Sequence, residues 1–221
     1  FQVENSIVIN DPDNSTLTRT FAAGNRQVMT ISAWIKRSRL INSAIFCTDA
    51  GLNRDARLQF YSDKIRMYSR ADGSGGSAHD QSSLGVYRDP SDRIHLHVVL
   101  DSTQSVIADR CKTYVDGLLI PVSAGDTIDQ NAIWGYNQNG AHYLFDNSEE
   151  VTTSDMYIAE FAFLDGQAVG PEAFGEWNKN APNVWQPRDL LDGHISWTGV
   201  NTFYLNFADP DDLGKDVSGN A

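Results

Sequence analysis

Three carboxylates in the second half of the chain are the first candidates for catalytic chemistry. Glu150, Asp155 and Glu160 follow one another at intervals of five residues. A retaining glycosidase needs two carboxylates about 5 Å apart across the scissile bond, and side chains on one strand share a face only at even separations. An odd separation places consecutive members of this series on opposite faces of a continuous strand. The spacing therefore argues against a catalytic pair.

Motifs of other enzyme classes do not occur in the sequence. It contains no Gly-x-Ser-x-Gly nucleophile elbow, no Gly-x-x-x-x-Gly-Lys phosphate loop and no dinucleotide fingerprint. We interpret the glycine-rich stretch at residues 72–77 as a flexible loop. Together with the carboxylate spacing, these observations predict that the chain is not an enzyme.

Two histidines, His95 and His97, share one face of a predicted strand, as in some β-barrel metal sites. A zinc site gathers at least three protein ligands around the ion. Asp101 falls on the same face, but His79, His142 and His194 are scattered in segments that we predict to be loops. We therefore interpret His95 and His97 as surface or hydrogen-bonded histidines.

Acidic runs near residues 146–150 and 209–216 are candidates for calcium, which is held by hard oxygen ligands that often come from loops. The candidate ligands are Asp146, Asp209 and Asp211. Neither run has the alternating spacing of a defined calcium loop, so solvated turn acids are the alternative interpretation. Calcium is the one cofactor that we consider, and we predict no other.

Aromatic side chains are candidates for ligand binding, because their faces can stack on the C–H faces of sugar rings. Trp34, Tyr68 and Tyr114 lie opposite the apolar faces of their predicted strands. The alternative is that overlying loops bury them in a second, minor core. Trp134, Tyr136 and Asn137 lie in a loop-like stretch that mixes aromatic and amide groups, and we predict that they form a site at the rim of the fold.

The elements that would position these side chains are short β-strands. Apolar and polar residues alternate with the period of two that is typical of half-buried strands. In residues 94–101, for example, Ile94, Leu96, Val98 and Leu100 share one face. The dipeptide Asp116-Gly117 between two apolar runs predicts a hairpin with a type I′ turn. The predicted strands cover residues 30–36, 58–61, 64–68, 94–101, 112–115, 118–120, 157–164 and 202–207.

The pattern of helices is much weaker than that of strands. Pro171-Glu172-Ala173-Phe174 predicts one short helix near residues 171–178, with proline at a first-turn position. Residues 71–81 and 138–153 are predicted loops. Many half-buried strands must cover one another's apolar faces, so we predict one all-β, two-sheet antiparallel sandwich over residues 1–221.

Charge and composition exclude several classes of partner. The 221 residues carry a net charge of −12, which disfavours nucleic acid because that affinity comes from clustered cations. No apolar run approaches the roughly 20 residues of a membrane-spanning helix, so we expect no membrane insertion. Cys47 and Cys111 form no disulfide framework, and a small buried hydrophobe is the expected role of Cys111, although one disulfide between the two stays open.

The order of several motifs resembles laminin-G-like, concanavalin A-like jelly-roll modules of the lectin and glucanase type, in structural proteins of bacteriophages and other large DNA viruses. The resemblance covers nearly the whole chain. The motifs that carry it are Asn25-Arg26, residues 30–38, residues 88–91, residues 94–104, Asp109-Arg110, residues 114–117, residues 158–161, residues 163–168, residues 174–176, Trp185-Gln186-Pro187, residues 203–207 and residues 213–220.

The resemblance implies a jelly-roll sandwich and a location on the virion exterior. It implies a non-catalytic tail, fibre or head-decoration module that supports host attachment, with a host surface glycan and other virion proteins as partners, and with a homotrimer as the common state of fibres. The chain starts at Phe1 without Met and stops after Asn220-Ala221, so we expect a fragment of a longer virion protein. A purely structural assembly domain is the first alternative, and a glycan hydrolase is the second.

Overall fold

The structure is a computed structural model that describes residues 1–10, 15–48, 55–70, 79–145 and 154–220. Within these residues fifteen β-strands occur. They are β1 Ile7–Ile9, β2 Leu17–Phe21, β3 Val28–Arg37, β4 Ser43–Thr48, β5 Ala56–Tyr61, β6 Lys64–Ser69, β7 His79–Ser82, β8 Ile94–Asp101, β9 Cys111–Val115, β10 Leu118–Leu119, β11 Gly140–Leu144, β12 Met156–Asp165, β13 Gly175–Asn178, β14 Ala181–Pro187 and β15 Phe203–Leu205.

The strands form two antiparallel sheets that pack face to face. The seven-stranded sheet has the order β1-β12-β3-β8-β9-β10, with β15 also paired to β12, and the six-stranded sheet has the order β2-β11-β4-β5-β6-β7. Their inner faces interdigitate in one apolar core that includes Ile31, Phe46, Leu96, Phe161 and Phe163. The predicted all-β, two-sheet jelly-roll class is therefore confirmed.

Tight turns connect neighbouring strands where the sequence predicts them. Asp116 and Gly117 both have positive φ (50° and 76°), as a type I′ turn between β9 and β10 requires. Ser62 and Asp63 have φ of 50° and 62° and join β5 to β6 in the same way. A side chain at position 117 would also meet the ring of Trp185 at 2.6 Å, so the turn needs glycine for two reasons.

The outer face of the seven-stranded sheet carries a second layer, the segment of residues 166–199, which we call the cover. Phe174, Leu190 and Ile195 of the cover pack on Ala162, Leu164 and Tyr204 of the sheet in a second hydrophobic cluster. The cover contains a two-stranded sheet of β13 and β14. Burial of the outer face thus depends on a segment with little regular structure.

The prediction of a short helix near residues 171–178 is wrong except for its first turn. Pro171–Ala173 forms a single 3-10 turn, and residues 175–178 are strand β13. Helix nucleation costs more than one turn repays, whereas Gly175 pairs with Pro187 across the β13–β14 hairpin. A Cβ at position 175 would lie 2.5 Å from the Trp185 ring, so strand β13 begins at a position where only glycine permits this packing.

Strands replace part of both predicted loops. Residues 79–81 of the first loop belong to β7, and residues 140–144 of the second form β11 between β2 and β4. Residues 71–78 and 146–153 lie outside the described residues. The prediction that His79 and His142 lie in loops is therefore wrong. Both sit in these strands and are buried, because tertiary pairing overrides the weak strand propensity of these polar segments.

A bulge in β12 breaks the regular alternation on which the carboxylate argument depended. The register between β12 and β3 shifts between Ala159 and Ala162, and Glu160 has a φ of 52°. An extra residue in one strand changes the face of every side chain beyond it. Glu160 consequently lies on the outer face beside Tyr204, and separation parity alone could not locate it.

No disulfide joins Cys47 to Cys111 in the structure. Cys47 packs with Ala44 in a small buried cluster, and Cys111 packs against the main core, where burial raises its pKa to about 12. Cys111 was expected to be a small buried hydrophobe, and the structure shows it partly buried against this core. In the described part of the chain, no helix has the length and apolar character needed to cross a membrane.

Candidate functional site

The outer face of the seven-stranded sheet is ordered in rows of cross-strand neighbours. One row contains Ala159, Trp34 and His95, and the next contains Ser32, His97 and Tyr114. Trp185 of the cover lies above the first row, with its ring nearly parallel to that of His95 at a centroid distance of 6.1 Å. These rows are where the sequence placed its metal and sugar candidates.

His95 is a buried structural histidine. The Trp185 indole N–H donates to His95 Nδ1 at 3.0 Å, and His95 Nε2 lies 2.8 Å from the Ser32 hydroxyl. Because Nδ1 accepts a hydrogen bond, the proton of the neutral ring resides on Nε2 and is donated to Ser32. Burial lowers the pKa of His95 well below its usual value, and the neighbouring His97 lowers it further.

His97 is also enclosed by the cover. Its Nε2 lies 2.9 Å from the Val169 carbonyl oxygen, and its ring contacts Phe174 at a centroid distance of 5.0 Å. Burial lowers the pKa of His97 to about 4. The expectation of hydrogen-bonded histidines is confirmed for this pair, and in the described ranges no three His, Cys, Asp or Glu side chains are grouped to hold a metal.

The cover ends before it reaches the last row of this face, and an open groove of about 850 Å³ lies there. Tyr157 of β12 and Lys36 of β3 are direct cross-strand partners in this row. Arg93 precedes Ile94, the partner of Ile35, and thus lies next along the row. The groove is lined by residues 1–6, 34–36, 93, 157–159 and 184–187.

Aromatic surface lies at both sides of the groove. Tyr157 is 43% exposed, and the Lys36 ammonium lies 5.9 Å from the centre of its ring. Trp185 is half-buried, held from below by His95, and reaches the groove from the β14 side. The backbone thus presents two aromatic side chains, from different layers of the fold, to one open volume.

Polar groups surround these aromatic side chains. Asn5 and Gln186 supply amides, Lys36 and Arg93 supply cations, and Glu4 supplies a carboxylate. A concave surface that combines apolar platforms with a few placed polar groups is the usual composition of a small-molecule site. This groove is the candidate functional site.

The predicted aromatic candidates do not form one site. Trp34 lies at the floor of the groove but is only 9% exposed, stacked on His95 at 4.9 Å, so the alternative of burial in a minor core applies to it. Tyr114 is half-buried on the same face, away from the groove, where its ring packs against His97. Tyr68 is on the outer face of the six-stranded sheet, between the guanidinium groups of Arg57 and Arg66.

The rim location expected for Trp134, Tyr136 and Asn137 is wrong, because all three are fully buried. The Tyr136 hydroxyl donates to the Phe46 carbonyl at 2.8 Å while its ring stacks on Phe46. The Asn137 amide donates to Asp165 Oδ1 at 2.6 Å. A loop-like segment can cross an interior when its polar groups are paired in this way, and no periodicity in the sequence shows this.

Glu160 occupies a closed pocket beneath the cover. It is 5% exposed, and its carboxylate accepts a hydrogen bond from the Tyr204 hydroxyl. Burial raises the pKa of Glu160 to about 7, although the Tyr204 hydrogen bond opposes this and the charge of Asp189 adds to it. Asp155 instead pairs with Arg39 at 3.0 Å, and Glu150 lies outside the described residues.

Two of the three calcium candidates, Asp209 and Asp211, lie in the described residues. Asp209 pairs with Lys215 at 2.8 Å, which is the main reason why the pKa of that carboxyl is lowered. Asp211 is exposed and donates its backbone N–H to Asp209. Asp146 lies outside the described residues. Calcium binding stays an untested prediction.

The sequence did not single out Tyr157, Trp185 or Arg93 as site residues. The one usable signal was the alternation in β3, which places Lys36 on the face of Trp34. Trp185 appeared only as part of a motif in the resemblance. Since the groove exists where two distant segments stop covering a sheet, local pattern could not reveal it.

Comparison with known proteins addresses the fold alone. No protein-family model and no curated protein sequence matches the chain. Among solved structures, a tryptophan-to-alanine mutant of HCR/D matches with a TM-score of 0.53 at 13% identity, covering 76% of this chain and 40% of that one.

Two further structures are similar at a lower level. The heptameric SAP-like pentraxin of Limulus polyphemus has a TM-score of 0.49 at 13% identity, with 72% of this chain and 74% of the pentraxin covered. The Trypanosoma rangeli sialidase has a TM-score of 0.45 at 14% identity, with 66% and 22% covered. The chain spans less than half of the HCR/D and sialidase chains. The two packed antiparallel sheets and the match to the HCR/D structure at a TM-score of 0.53 show that this chain has a jelly-roll, concanavalin-like sandwich fold.

Proposed function

We propose that this domain is a non-catalytic glycan-binding module of a virion surface protein, and that it binds sugar in the groove between Tyr157 and Trp185. The observation that carries the proposal is the pairing of two accessible aromatic side chains with amides and charges in one open volume. Sugar rings present apolar C–H faces to aromatic rings and hydroxyl groups to amides, so the composition suits such a ligand.

The arrangement of Trp185 supports a preformed site. Its indole N–H is already bonded to His95, and its ring lies against Gly117 and Gly175. A side chain held by packing loses little rotamer freedom when a ligand binds, and this lowers the entropic cost of association. Trp185 can therefore act as a fixed wall while the more exposed Tyr157 forms the opposite platform.

The distribution of carboxylates supports the non-catalytic part of the proposal. Among the described residues that line the groove, Glu4 is the one carboxylate, whereas a glycosidase of the usual kind requires two. Glu160 has the raised pKa of an acid catalyst, but it is buried against Tyr204. Hydrolysis of a bound glycan that is abolished by Glu160→Gln would contradict this part.

The virion setting is supported by the sequence motifs, which resemble those of viral jelly-roll modules in the same order.

A second candidate function, a structural assembly domain, is favoured by a different observation. Leu118 and Leu119 are each 60% exposed on β10, an edge strand of the seven-stranded sheet, and exposed apolar edges are suited to protein contacts. Sedimentation of the domain would show a trimer if the fibre form of the proposal is right.

A glycan array followed by calorimetric titration of the best ligand tests the proposed function. We expect wild-type domain to bind, and Tyr157→Ala and Trp185→Ala to weaken binding several-fold to about tenfold, since an aromatic contact contributes about 0.5–1.5 kcal/mol beyond the area that it buries. Each titration is repeated with and without calcium, because calcium remains a candidate cofactor.

Tyr61→Ala is the matched control for Tyr157→Ala. Tyr61 is 40% exposed, close to the 43% of Tyr157, but it lies on the six-stranded sheet outside the groove. We expect this variant to bind like wild type. Absence of binding to every glycan, or equal losses in the Tyr61 and Tyr157 variants, would refute the groove as a sugar site.

A further inference from the structure

Most cations of this protein are engaged by its surplus of carboxylates. The chain has 29 Asp and Glu for 17 Lys and Arg, and ion pairs are correspondingly frequent. Arg19, Arg37, Arg57 and Arg66 each lie within 3.2 Å of an aspartate oxygen. In such an acidic chain, a cation without a carboxylate partner is an exception that calls for a physical reason.

Lys36 and Arg93 both line the groove. The charge of Lys36 acts on Asp89, whose pKa it helps to lower, but only at a distance longer than an ion pair. Among the residues that the structure describes, neither forms an ion pair. Lys36 lies over Tyr157, and Arg93 follows it along the same outer row of the sheet. The other lysines without an ion pair in those residues, Lys64 and Lys179, are at hairpin turns rather than in a concave surface.

The geometry points to an acidic sugar as the ligand of the groove, with its anionic group against Lys36 and Arg93 and its ring face on Tyr157. This inference rests on the proposed glycan-binding function and deepens it by naming the ligand class. A carboxylate and a sulfate share the relevant chemistry, since both are anions with several acceptor oxygens.

The arrangement favours an anion for two reasons. Arginine and lysine donate charge-assisted hydrogen bonds to carboxylate or sulfate oxygens, and these bonds are about twice as strong as neutral ones. In addition, the groove concentrates two positive charges in a protein with a net charge of −12. A neutral sugar would gain the aromatic and amide contacts but would leave both cations without an anionic partner.

Glu4 works against the same ligand. It is exposed at the groove, and its carboxylate repels an anionic group held by Lys36 and Arg93. The groove therefore contains charges of both signs whose removal should change affinity in opposite directions. These opposite changes in affinity distinguish an anion-binding site from a surface that binds ligands non-specifically.

Titration with three oligosaccharide sets tests the inference: neutral, uronate-containing and sulfated. We expect the domain to bind one or both acidic sets at least about tenfold more tightly than neutral oligosaccharides of the same length. The uronate and sulfate arms distinguish the two sources of the anion. Raising sodium chloride from about 0.05 M to about 0.5 M should weaken acidic binding several-fold, because salt screens exposed charges.

Four variants complete the test. Lys36→Ala and Arg93→Ala should each lower affinity for the acidic ligand about fivefold to tenfold. Glu4→Gln should raise it about twofold to fivefold, by removing a like charge. Lys64→Ala removes an equivalent charge from β6 of the other sheet and should have no effect. All four positions are exposed or half-exposed, and a thermal melt verifies folding.

The outcomes separate this inference from the proposed function. Binding of neutral glycans as tightly as acidic ones, with unchanged affinity in Lys36→Ala and Arg93→Ala, would overturn the inference and leave the glycan-binding function standing. Failure to bind any glycan would overturn both. Equal losses in Lys64→Ala and Lys36→Ala would mean that net charge, not the groove, governs binding, and would overturn the inference alone.

Discussion

The outer face of the seven-stranded sheet is divided into a covered part and an open part, although the same strands run through both. In the covered part, His95, His97 and Glu160 are buried by residues 166–199, and all three have shifted pKa values. In the open part, Tyr157, Lys36 and Arg93 remain accessible around the groove.

Residues whose chemistry suggests catalysis or metal binding can be assigned to the wrong role when their burial is unknown. The imidazoles and the carboxylate with altered pKa values belong to the covered part, where their shifts arise mainly from desolvation rather than from a catalytic arrangement. The residues suited to ligand binding, Tyr157, Lys36 and Arg93, line the open groove instead. Variants in each part should therefore differ in their effect on the free energy of unfolding.

The largest effect is expected from Phe174→Ala in the covered part. Phe174 is fully buried between the cover and the sheet and packs against His97. Its truncation should lower the free energy of unfolding by about 3–5 kcal/mol, the usual loss for a buried aromatic side chain. Urea denaturation measures this. A loss below about 1 kcal/mol would mean that the cover is not a packed layer.

The second effect is a pH dependence centred on Glu160. Its pKa is raised from 4.5 to about 7 in the folded state, so the protonated carboxyl contributes stability below pH 4.5, and this contribution is lost as the pH rises through 7. The difference amounts to roughly 3 kcal/mol. Glu160→Gln, which cannot ionise, should keep that stability at high pH.

The pKa values of His95 and His97 are lowered, whereas that of Glu160 is raised, so the histidines change the stability with pH in the opposite direction. The free energy of unfolding of the variant must therefore be compared with that of wild type at each pH. The lowered pKa values of these histidines make the fold less stable as the pH falls below about 6.5. Between about pH 4 and pH 8.5, Glu160→Gln should gain on wild type by roughly 3 kcal/mol. Glu172→Gln, an exposed glutamate of the cover, should gain nothing, and a gain there would attribute the effect to net charge.

The smallest effect is expected from Tyr157→Ala in the open part. Tyr157 is 43% exposed and contacts Lys36, so its removal should change the free energy of unfolding by no more than about 0.5 kcal/mol. The same urea titration measures it. A loss as large as that of Phe174→Ala would show that both parts of the face are structural, and would remove the contrast between them.

Much of the fold could be predicted from the sequence because its signals are local. The alternation in residues 94–101 and the Asp116-Gly117 turn appear in the structure as β8 and the β9–β10 hairpin. The sequence did not predict β7 and β11, because both strands are short and contain polar residues. Only their pairing with neighbouring strands makes them part of the sheet. The bulge at Glu160 could not be predicted either, because it is defined by the pairing of β12 with β3.

The candidate site could be predicted only in part. Trp34 and Lys36 were placed on one face by alternation in β3, and the structure keeps both at the groove. Trp134 and Tyr136 were expected at a rim, yet they lie in the core. The residue between them must be glycine, because a Cβ at position 135 would lie 2.7 Å from the backbone carbonyl oxygens of Asp55 and Arg70. Such packing arises between residues far apart in sequence.

By itself, the sequence determined the β architecture, the main turns and the acidic charge of this protein. These follow from the period of two along each strand, from the positive φ that Asp-Gly supplies and from residue counts. The tertiary structure decided which outer-face residues are sealed and which remain open. That outcome depends on where residues 166–199 end above the sheet and on how residues 1–6 lie beside it, which no local pattern encodes.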